Sequence, residues 1–261
     1  MLAHKSASRH HPPMLRSIAI TLLTLVISIT LKAEADLRIA VASNFHQTLD
    51  TLAKQYQSAH PKTQITLIPG STGKLYAQIA NGAPFHAFFS ADSERPEMLE
   101  QNGLAQQSSR FTYALGILAL WQPGSKEPDL SKAKTLAYAK PELAPFGRAA
   151  KQSLHTFQLP ASPPRHVLGS NVSEAFNFAL TGAADSAFVS LSQLIKLQIA
   201  PQEYLIIDPS LYAPIEQQAI ALSDYPETLD FLHYCQSESA RQIIKAAGYH
   251  IPKERVQASR L

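Results

Sequence analysis

The sequence predicts an α/β fold built on largely parallel sheets, and three observations support this prediction. Short apolar runs with strand character alternate along the chain with stretches whose apolar residues recur at helical spacing. The hydrophobic fraction of 45% and the charged fraction of 16% are typical of a globular protein. The length of 261 residues suits one large domain or two smaller lobes. In such sheets, ligands bind beyond the carboxyl ends of the strands.

The first part of the chain predicts three strand–helix units. The strands are short apolar runs at residues 37–42, 64–68 and 85–90. The helices follow them at residues 45–59, 74–80 and 94–101. Each helix ends near a proline or glycine, namely Pro61, Gly82 and Gly103.

The second part begins with a long apolar strand over residues 111–121, which is a candidate crossing between lobes. The alternation then resumes. We predict further strands at residues 166–168, 186–189 and 218–222, the last of which is a candidate for crossing back. Helices are predicted at residues 147–157, 172–180, directly after 189, at 226–235 and at 239–247. Gly248 and Pro252 end the last helix.

The first 35 residues have the pattern of a secretory signal peptide. Basic residues precede a 14-residue apolar run over 18–31, and the sequence Ala-Glu-Ala at 33–35 predicts cleavage after Ala35. A membrane anchor is the alternative, but the run is shorter than the about 20 residues of a membrane span. Met14 is an alternative start, which would make residues 1–13 an upstream extension. No cysteine lies near the cleavage point to carry a lipid.

The net positive charge of the chain comes from this leader. Four of the 23 basic residues and one of the 20 acidic residues lie in it, so the rest of the chain carries 19 of each. A nucleic-acid partner therefore lacks electrostatic support. Cys235 is the single cysteine, which excludes an intramolecular disulfide, and its helical context predicts a buried apolar role.

Two predicted strand-to-helix junctions share hydroxyl and amide side chains and contain no carboxylate. The first contains Ser43 and Asn44, and the second contains Ser71 and Thr72. A helix N-terminus has unpaired N–H groups and partial positive charge, so it binds anions readily, and hydroxyls there add donors. N-capping alone is the alternative for either junction. Because both junctions belong to one parallel sheet, they converge on one edge, which favours a shared anion site.

Other kinds of site have little support in the sequence. Gly73-Lys74 is not part of a phosphate-binding loop, because Ile68 stands where that motif needs Gly and Leu75 where it needs Ser or Thr. No G-x-S-x-G elbow and no metal-ligand spacing is present, so we expect no direct metal-ion ligand. An exported serine hydrolase is an alternative, but no base or orienting acid accompanies the two serine junctions. We therefore expect no enzyme activity.

Eight motifs are spread over the chain after the leader. They are VASNF at 41–45, GSTGKLYAQIANGAPF at 70–85, FFSAD at 88–92, SRFTYALGILALW at 109–121, KPELAPFG at 140–147, SNVSEAF at 170–176, SAFVS at 186–190 and AAGY at 246–249. Together they resemble the motifs of periplasmic molybdate-binding proteins of ABC importers. The resemblance covers essentially the whole chain after the leader.

The resemblance implies a two-lobed periplasmic-binding-protein fold of type II, in which each lobe is a mostly parallel sheet flanked by helices. Two crossover strands would form the hinge. One lobe would comprise residues 36–114 plus 218–261, and the other residues 115–217.

The resemblance also implies five places that supply ligands to an oxyanion. In this sequence they are Ser43 with the Asn44 amide, Thr72 with the adjacent Ser71, Phe146, Val172 and Ser190. Phe146 and Val172 would act through backbone N–H groups. Some members have Tyr where Ser190 stands, so this chain either lacks that donor or replaces it with the Ser hydroxyl.

The implied ligand is molybdate or tungstate, and sulfate or another tetrahedral oxyanion is the alternative. A fully deprotonated anion needs donors only, whereas hydrogen phosphate needs an acceptor such as Asp or Glu. Hydrogen phosphate becomes a candidate ligand if the carboxylate of Glu142, Glu174 or Asp185 points into the site. The resemblance further implies a monomer in the periplasm that needs no cofactor. Its partners would be a membrane permease and a cytoplasmic ATPase.

Overall fold

The computed structural model describes residues 35–157, 159 and 161–252. Apart from Ala35, which begins the first strand, the predicted signal peptide lies outside the described residues.

Ten strands are found in the described part of the chain. They are β1 (Ala35–Ala42), β2 (Thr63–Gly70), β3 (Ala87–Phe89), β4 (Phe111–Gly116), β5 (Leu118–Trp121), β6 (Thr135–Ala139), β7 (Arg165–Gly169), β8 (Ser186–Ser190), β9 (Tyr204–Ile206) and β10 (Ile215–Ala221).

Eight α-helices are found in the same residues. They are α1 (His46–Ala59), α2 (Thr72–Ala80), α3 (Glu94–Gln101), α4 (Pro145–Ser153), α5 (Val172–Leu180), α6 (Leu191–Lys196), α7 (Pro226–Tyr234) and α8 (Glu238–Ala246). Short 3-10 helices lie at Leu130–Lys132, Leu154–Thr156, Pro201–Glu203 and Pro209–Leu211.

The strands form two five-stranded sheets, which we call the first and the second sheet. The first has the order β2-β1-β3-β10-β4 and the second the order β7-β6-β8-β5-β9. In each sheet the first three strands of this order are parallel, and the other two join in antiparallel pairs. The predicted α/β class with two sheets flanked by helices is therefore confirmed.

Both faces of each sheet are covered, which explains why the inner strands β3 and β5 are apolar and buried along their whole length. In β1, Leu37, Ile39 and Val41 face one core with α1, whereas Ala40 faces another with α2 and α3. The second sheet likewise separates two cores, one of which contains the Phe146 ring. Burying each large side chain contributes about 1.5–3 kcal/mol to stability.

The chain passes between the sheets twice. The strand predicted over 111–121 is two strands, because Ile117 separates β4 in the first sheet from β5 in the second. The chain leaves the second sheet after β9 and re-enters the first with β10.

Two strands of the second sheet were not predicted. β6 reads TLAYA, and its alanines give no clear strand signal, yet it lies between β7 and β8. β9 has only three residues and lies at the edge of the sheet.

Candidate ligand-binding site

The seven residues predicted to bind the ligand, here called the candidate residues, all lie at the carboxyl ends of parallel strands. Ser43 and Asn44 follow β1, Ser71 and Thr72 follow β2, Phe146 is the second residue of α4 after β6, Val172 begins α5 after β7, and Ser190 ends β8. Four therefore belong to the edge of the first sheet and three to the edge of the second.

The two edges face each other and are in contact. The hydrogen bonds that join them include those from the Gly73 N–H to the Leu143 carbonyl at 2.9 Å, from the Ser173 hydroxyl to the Ser43 carbonyl at 3.3 Å, and from the Ser192 hydroxyl to the Asn44 carbonyl at 3.4 Å. The structure thus brings candidate residues of both sheets to one junction.

The hydroxyls of Ser71 and Thr72 have different surroundings, although both residues are buried. Ser71 is the N-cap of α2, but its side chain makes no capping bond, and its Oγ has no hydrogen-bond partner among the described residues. The Thr72 Oγ1 accepts a hydrogen bond from the Ala91 N–H at 3.2 Å. Of the two hydroxyls, that of Ser71 is therefore the one without a hydrogen bond to the described part of the chain.

The helices of the second sheet present backbone donors. α4 begins with Pro145, so Phe146 supplies the first N–H of that helix, and first-turn N–H groups have no acceptor within a helix. A Cβ on Gly147 would lie 2.1 Å from the Ala139 carbonyl oxygen, so only glycine allows α4 to start this close to β6. The Phe146 ring is buried in a core, which leaves its backbone as the part available for a ligand. Val172 is the first residue of α5.

Asn44 belongs to a buried polar network. Its Nδ2 donates to Gln217 Oε1 at 2.8 Å, and its carbonyl accepts from the Tyr249 hydroxyl at 2.8 Å. The Tyr249 hydroxyl also lies 2.9 Å from Ser192 Oγ, which is 2.8 Å from Ser190 Oγ. Burial raises the pKa of Tyr249 to about 12, so this hydroxyl stays protonated at neutral pH. The sequence analysis assigned no role to Gln217 or Tyr249.

Two of the three carboxylates named as alternative acceptors are engaged by other groups, and the third is exposed. Glu174 accepts from the N–H and the hydroxyl of Ser170, both at 2.6 Å, and the hydroxyl bond first of all holds the pKa of the Glu174 carboxyl below its ordinary value. Asp185 accepts two backbone N–H bonds at the start of β6. Glu142 is exposed. Among the described residues, none of the three bonds to a candidate residue.

A cleft of about 710 Å³ opens beside Ser43 and Asn44. Both sheets contribute to its walls, including Asn171 and Ser173 from the second. No Asp or Glu among the described residues lines it. The other five candidate residues lie outside its lining.

Salt bridges cross the junction away from this cleft. Arg148 on α4 pairs with Asp92 at 3.0 Å and with Glu94 at 3.1 Å, both of which follow β3. Arg95 also pairs with Asp92. The carboxylate of Asp92 thus lies between an arginine of its own side and one from the second sheet.

Within residues 35–157 and 161–252, no group of three or more His, Cys, Asp or Glu side chains is placed to hold a metal ion. None of the described helices is long and apolar enough to cross a membrane.

Comparisons with known proteins give consistent results. Residues 37–250 match the family model for bacterial extracellular solute-binding proteins. The chain is 37% identical over 227 residues to the molybdate-binding protein ModA of Azotobacter vinelandii, which covers 82% of this chain and 90% of that protein. It is 35% identical over 251 residues to ModA of Rhodobacter capsulatus, with 91% and 97% covered.

Solved structures show the same fold. The periplasmic molybdate-binding protein of Azotobacter vinelandii superposes with a TM-score of 0.73 at 34% identity, covering 83% of this chain and all of that one. The sulfate-binding protein SubI of Mycobacterium tuberculosis has a TM-score of 0.68 at 12% identity, covering 83% and 87%. That second likeness concerns the fold alone.

Proposed function

The chain belongs to the family of bacterial extracellular solute-binding proteins, and from this premise we propose that it captures molybdate, with tungstate as a close congener, for an ABC importer. Two relatives named as molybdate-binding proteins, at 35% and 37% identity over most of the chain, support molybdate as the ligand.

The observation that carries the proposal is that the candidate residues supply hydrogen-bond donors and include no acid, while the nearby Asp92 carboxylate is already paired with Arg95 and Arg148. Ser71 Oγ is buried without a partner, and the first turns of α4 and α5 present N–H groups from the opposite sheet. A buried dianion must replace its lost hydration with hydrogen bonds, and hydroxyls and helix N–H groups supply these without a counter-charge. No Asp or Glu among the described residues lines the cleft beside Ser43 and Asn44, although the other five candidate residues lie outside that lining.

We assign the anion contacts to all seven candidate residues, with different atoms. Hydroxyl donors come from Ser43, Ser71 and Thr72, and backbone N–H donors from Asn44, Phe146 and Val172. Ser190 Oγ is paired with Ser192, so its contact with the anion is the weakest of the set.

Sulfate remains the second candidate ligand, because a donor-only site suits any fully deprotonated tetrahedral anion. The relatives favour molybdate over it. We propose no catalytic role for Ser43 or Ser71, since no histidine donates to or accepts from either hydroxyl in the described residues, and no cofactor for binding.

We propose that the protein works as a monomer in the periplasm after removal of residues 1–35 and delivers its ligand to a membrane permease with a cytoplasmic ATPase. Its two lobes would correspond to the two sheets. The crossings at Ile117 and between β9 and β10 lie close to the expected boundaries at 114/115 and 217/218.

Titration calorimetry against molybdate, tungstate, sulfate and hydrogen phosphate tests the proposal. We expect molybdate and tungstate to bind at least about 100-fold more tightly than sulfate, which corresponds to about 2.7 kcal/mol. Molybdate should also raise the melting temperature without any turnover of ester substrates. Equal affinity for sulfate would remove the molybdate assignment, and tight binding of hydrogen phosphate would remove the donor-only argument as well.

A further inference from the structure

Gln217 is a buried residue of β10 with half of its side-chain amide unsatisfied. Its Oε1 accepts from Asn44 Nδ2 at 2.8 Å, and this bond orients the amide. The Tyr113 hydroxyl lies 3.2 Å from the same Oε1, but its single proton also has the Ser90 carbonyl as an acceptor at 3.0 Å. The Nε2, which carries two N–H donors, is buried and has no partner among the described residues. A buried donor without an acceptor is costly, which makes Nε2 a candidate for contact with a bound molecule.

The position of Nε2 is between candidate residues of both sheets. The Oε1 of the same amide touches Asn44 on the first sheet. A Cβ on Gly116 would lie 3.1 Å from Gln217 Nε2 and 2.9 Å from Phe146 Cζ, so the amide and the tip of the Phe146 ring share the space that Gly116 leaves free. The amide therefore lies next to two of the residues to which anion contacts were assigned, Asn44 and Phe146.

The strand geometry supports a special role for this position. The pairing of β10 with β4 shifts register between Gln217 and Gln218, which leaves Tyr113 without a residue opposite it. Such bulges commonly direct a side chain toward a functional site. Here the bulge lies beside Tyr113, whose hydroxyl is 3.2 Å from Gln217 Oε1 and 3.0 Å from the Ser90 carbonyl.

The neighbouring Gln218 shows that an unsatisfied amide is not a general property of this strand. Its Oε1 accepts from Arg110 at 2.9 Å, and its Nε2 lies within hydrogen-bonding distance of Thr112 and Glu216, at 3.1 and 3.2 Å. Two consecutive glutamines thus differ in that only the one at the junction lacks an acceptor.

We infer that Gln217 is a further anion-binding residue, whose side-chain N–H groups donate to the bound oxyanion and select against protonated oxyanions. The inference rests on the proposed function and deepens it. A donor at this point favours an anion that offers only acceptors. An acceptor in the same place would instead receive the proton of hydrogen phosphate.

The substitution Gln217→Glu tests this directly, because it keeps an oxygen for Asn44 and Tyr113 and replaces the NH₂ group with a second oxygen. We expect molybdate affinity to fall by about 10- to 150-fold, the range for one hydrogen bond to a charged group, while the affinity for hydrogen phosphate rises relative to it. The matched control is Gln218→Glu, the same change on the same strand away from the junction. It should leave the ratio of the two affinities unchanged.

Gln217→Met provides a second test, since it keeps the length of the side chain but has no strong donor and no charge. Molybdate affinity should fall by about the same 10- to 150-fold without any gain for hydrogen phosphate. Melting curves of the ligand-free variants report any purely structural loss, and calorimetry is done on the folded fraction.

The outcomes are separable. If the unsubstituted protein does not bind molybdate, the proposed function fails. If it binds molybdate but both Gln217 variants keep its affinity and its selectivity, only the inference is overturned. Equal losses for all anions, together with a lowered melting temperature, would likewise overturn it and make Gln217 a packing residue.

Discussion

At the scale of single residues, substitutions of Ser71 and Thr72 distinguish an effect on ligand affinity from an effect on folding stability. We expect Ser71→Ala to weaken molybdate binding by about 1.5–3 kcal/mol, as for a hydrogen bond to a charged group, with little change in the melting temperature of the ligand-free protein. The reason is that Ser71 Oγ has no partner in the described residues. Calorimetry and melting curves measure the two effects.

Thr72→Ala and Lys74→Ala are the comparisons for that experiment. Thr72→Ala should also lower the melting temperature, because it leaves the Ala91 N–H without its acceptor. Lys74 is exposed, and its substitution should change neither quantity appreciably. A large loss of binding for Lys74→Ala with none for Ser71→Ala would contradict this account of the junction.

The candidate residues that could be predicted from the sequence are those whose signal is local. Ser43, Asn44, Ser71 and Thr72 stand out because hydroxyl and amide side chains directly follow an apolar strand. Gln217 and its partner Asn44 are 173 residues apart, and Tyr249 lies 205 residues from Asn44. Contacts between residues so far apart cannot be predicted from a local sequence pattern. A glutamine within a strand that is mostly apolar does, however, indicate a buried polar group.

At the scale of elements, two substitutions at the start of α4 distinguish binding through the Phe146 backbone N–H from a role of the Phe146 side chain. Phe146→Ala removes a buried ring and should cost about 3–5 kcal/mol of stability while leaving the affinity of the folded protein nearly intact. Phe146→Pro also removes the N–H and should bind molybdate about 1.5–3 kcal/mol more weakly than the Ala variant. Proline is acceptable in the first turn of a helix.

Because both variants lose the ring, their difference isolates the N–H group. Calorimetry of the two folded variants gives that difference, and melting curves give the shared loss of stability. Equal affinities for the Ala and Pro variants would remove Phe146 from the anion contacts.

Element predictions succeeded where periodicity was strong and failed where tertiary contacts decide. The helix α1 has apolar residues at regular helical spacing, and its predicted and observed ranges differ by one residue. The alanines of β6 have no strong strand preference, and its burial between β7 and β8 stabilises it as a strand. The predicted strand breaks at Ile117 because β4 and β5 belong to different sheets. Local hydropathy cannot predict to which sheet a strand belongs.

At the scale of the whole molecule, Arg148 links the two lobes. We expect molybdate to favour the closed arrangement, because its contacts come from both sides. Arg148→Gln should weaken binding by no more than about 1 kcal/mol, since the Arg148 side chain is 40% exposed and solvent screens the pairs with Asp92 and Glu94. The loss should disappear at high ionic strength.

Lys151→Gln on the same helix is the matched control and should have no effect. Dissociation rates of molybdate at low and high salt, with small-angle scattering to follow the radius of gyration, provide the measurement. A salt-independent loss for Arg148→Gln would show that the arginine acts through packing and not through charge.

The double crossing between the sheets has a consequence for the order of events during synthesis. The first sheet contains β1, β2 and β3 from the beginning of the chain, yet β10 lies between β3 and β4. Tyr113 and Gln217, which meet across that pairing, are 104 residues apart. Closing so long a loop costs entropy before any contact compensates for it, so the pairing forms late and slowly. A nascent chain that has not reached β10 has an incomplete first sheet and leaves Asn44 without Gln217, so the candidate site is completed only after β10 has been synthesised.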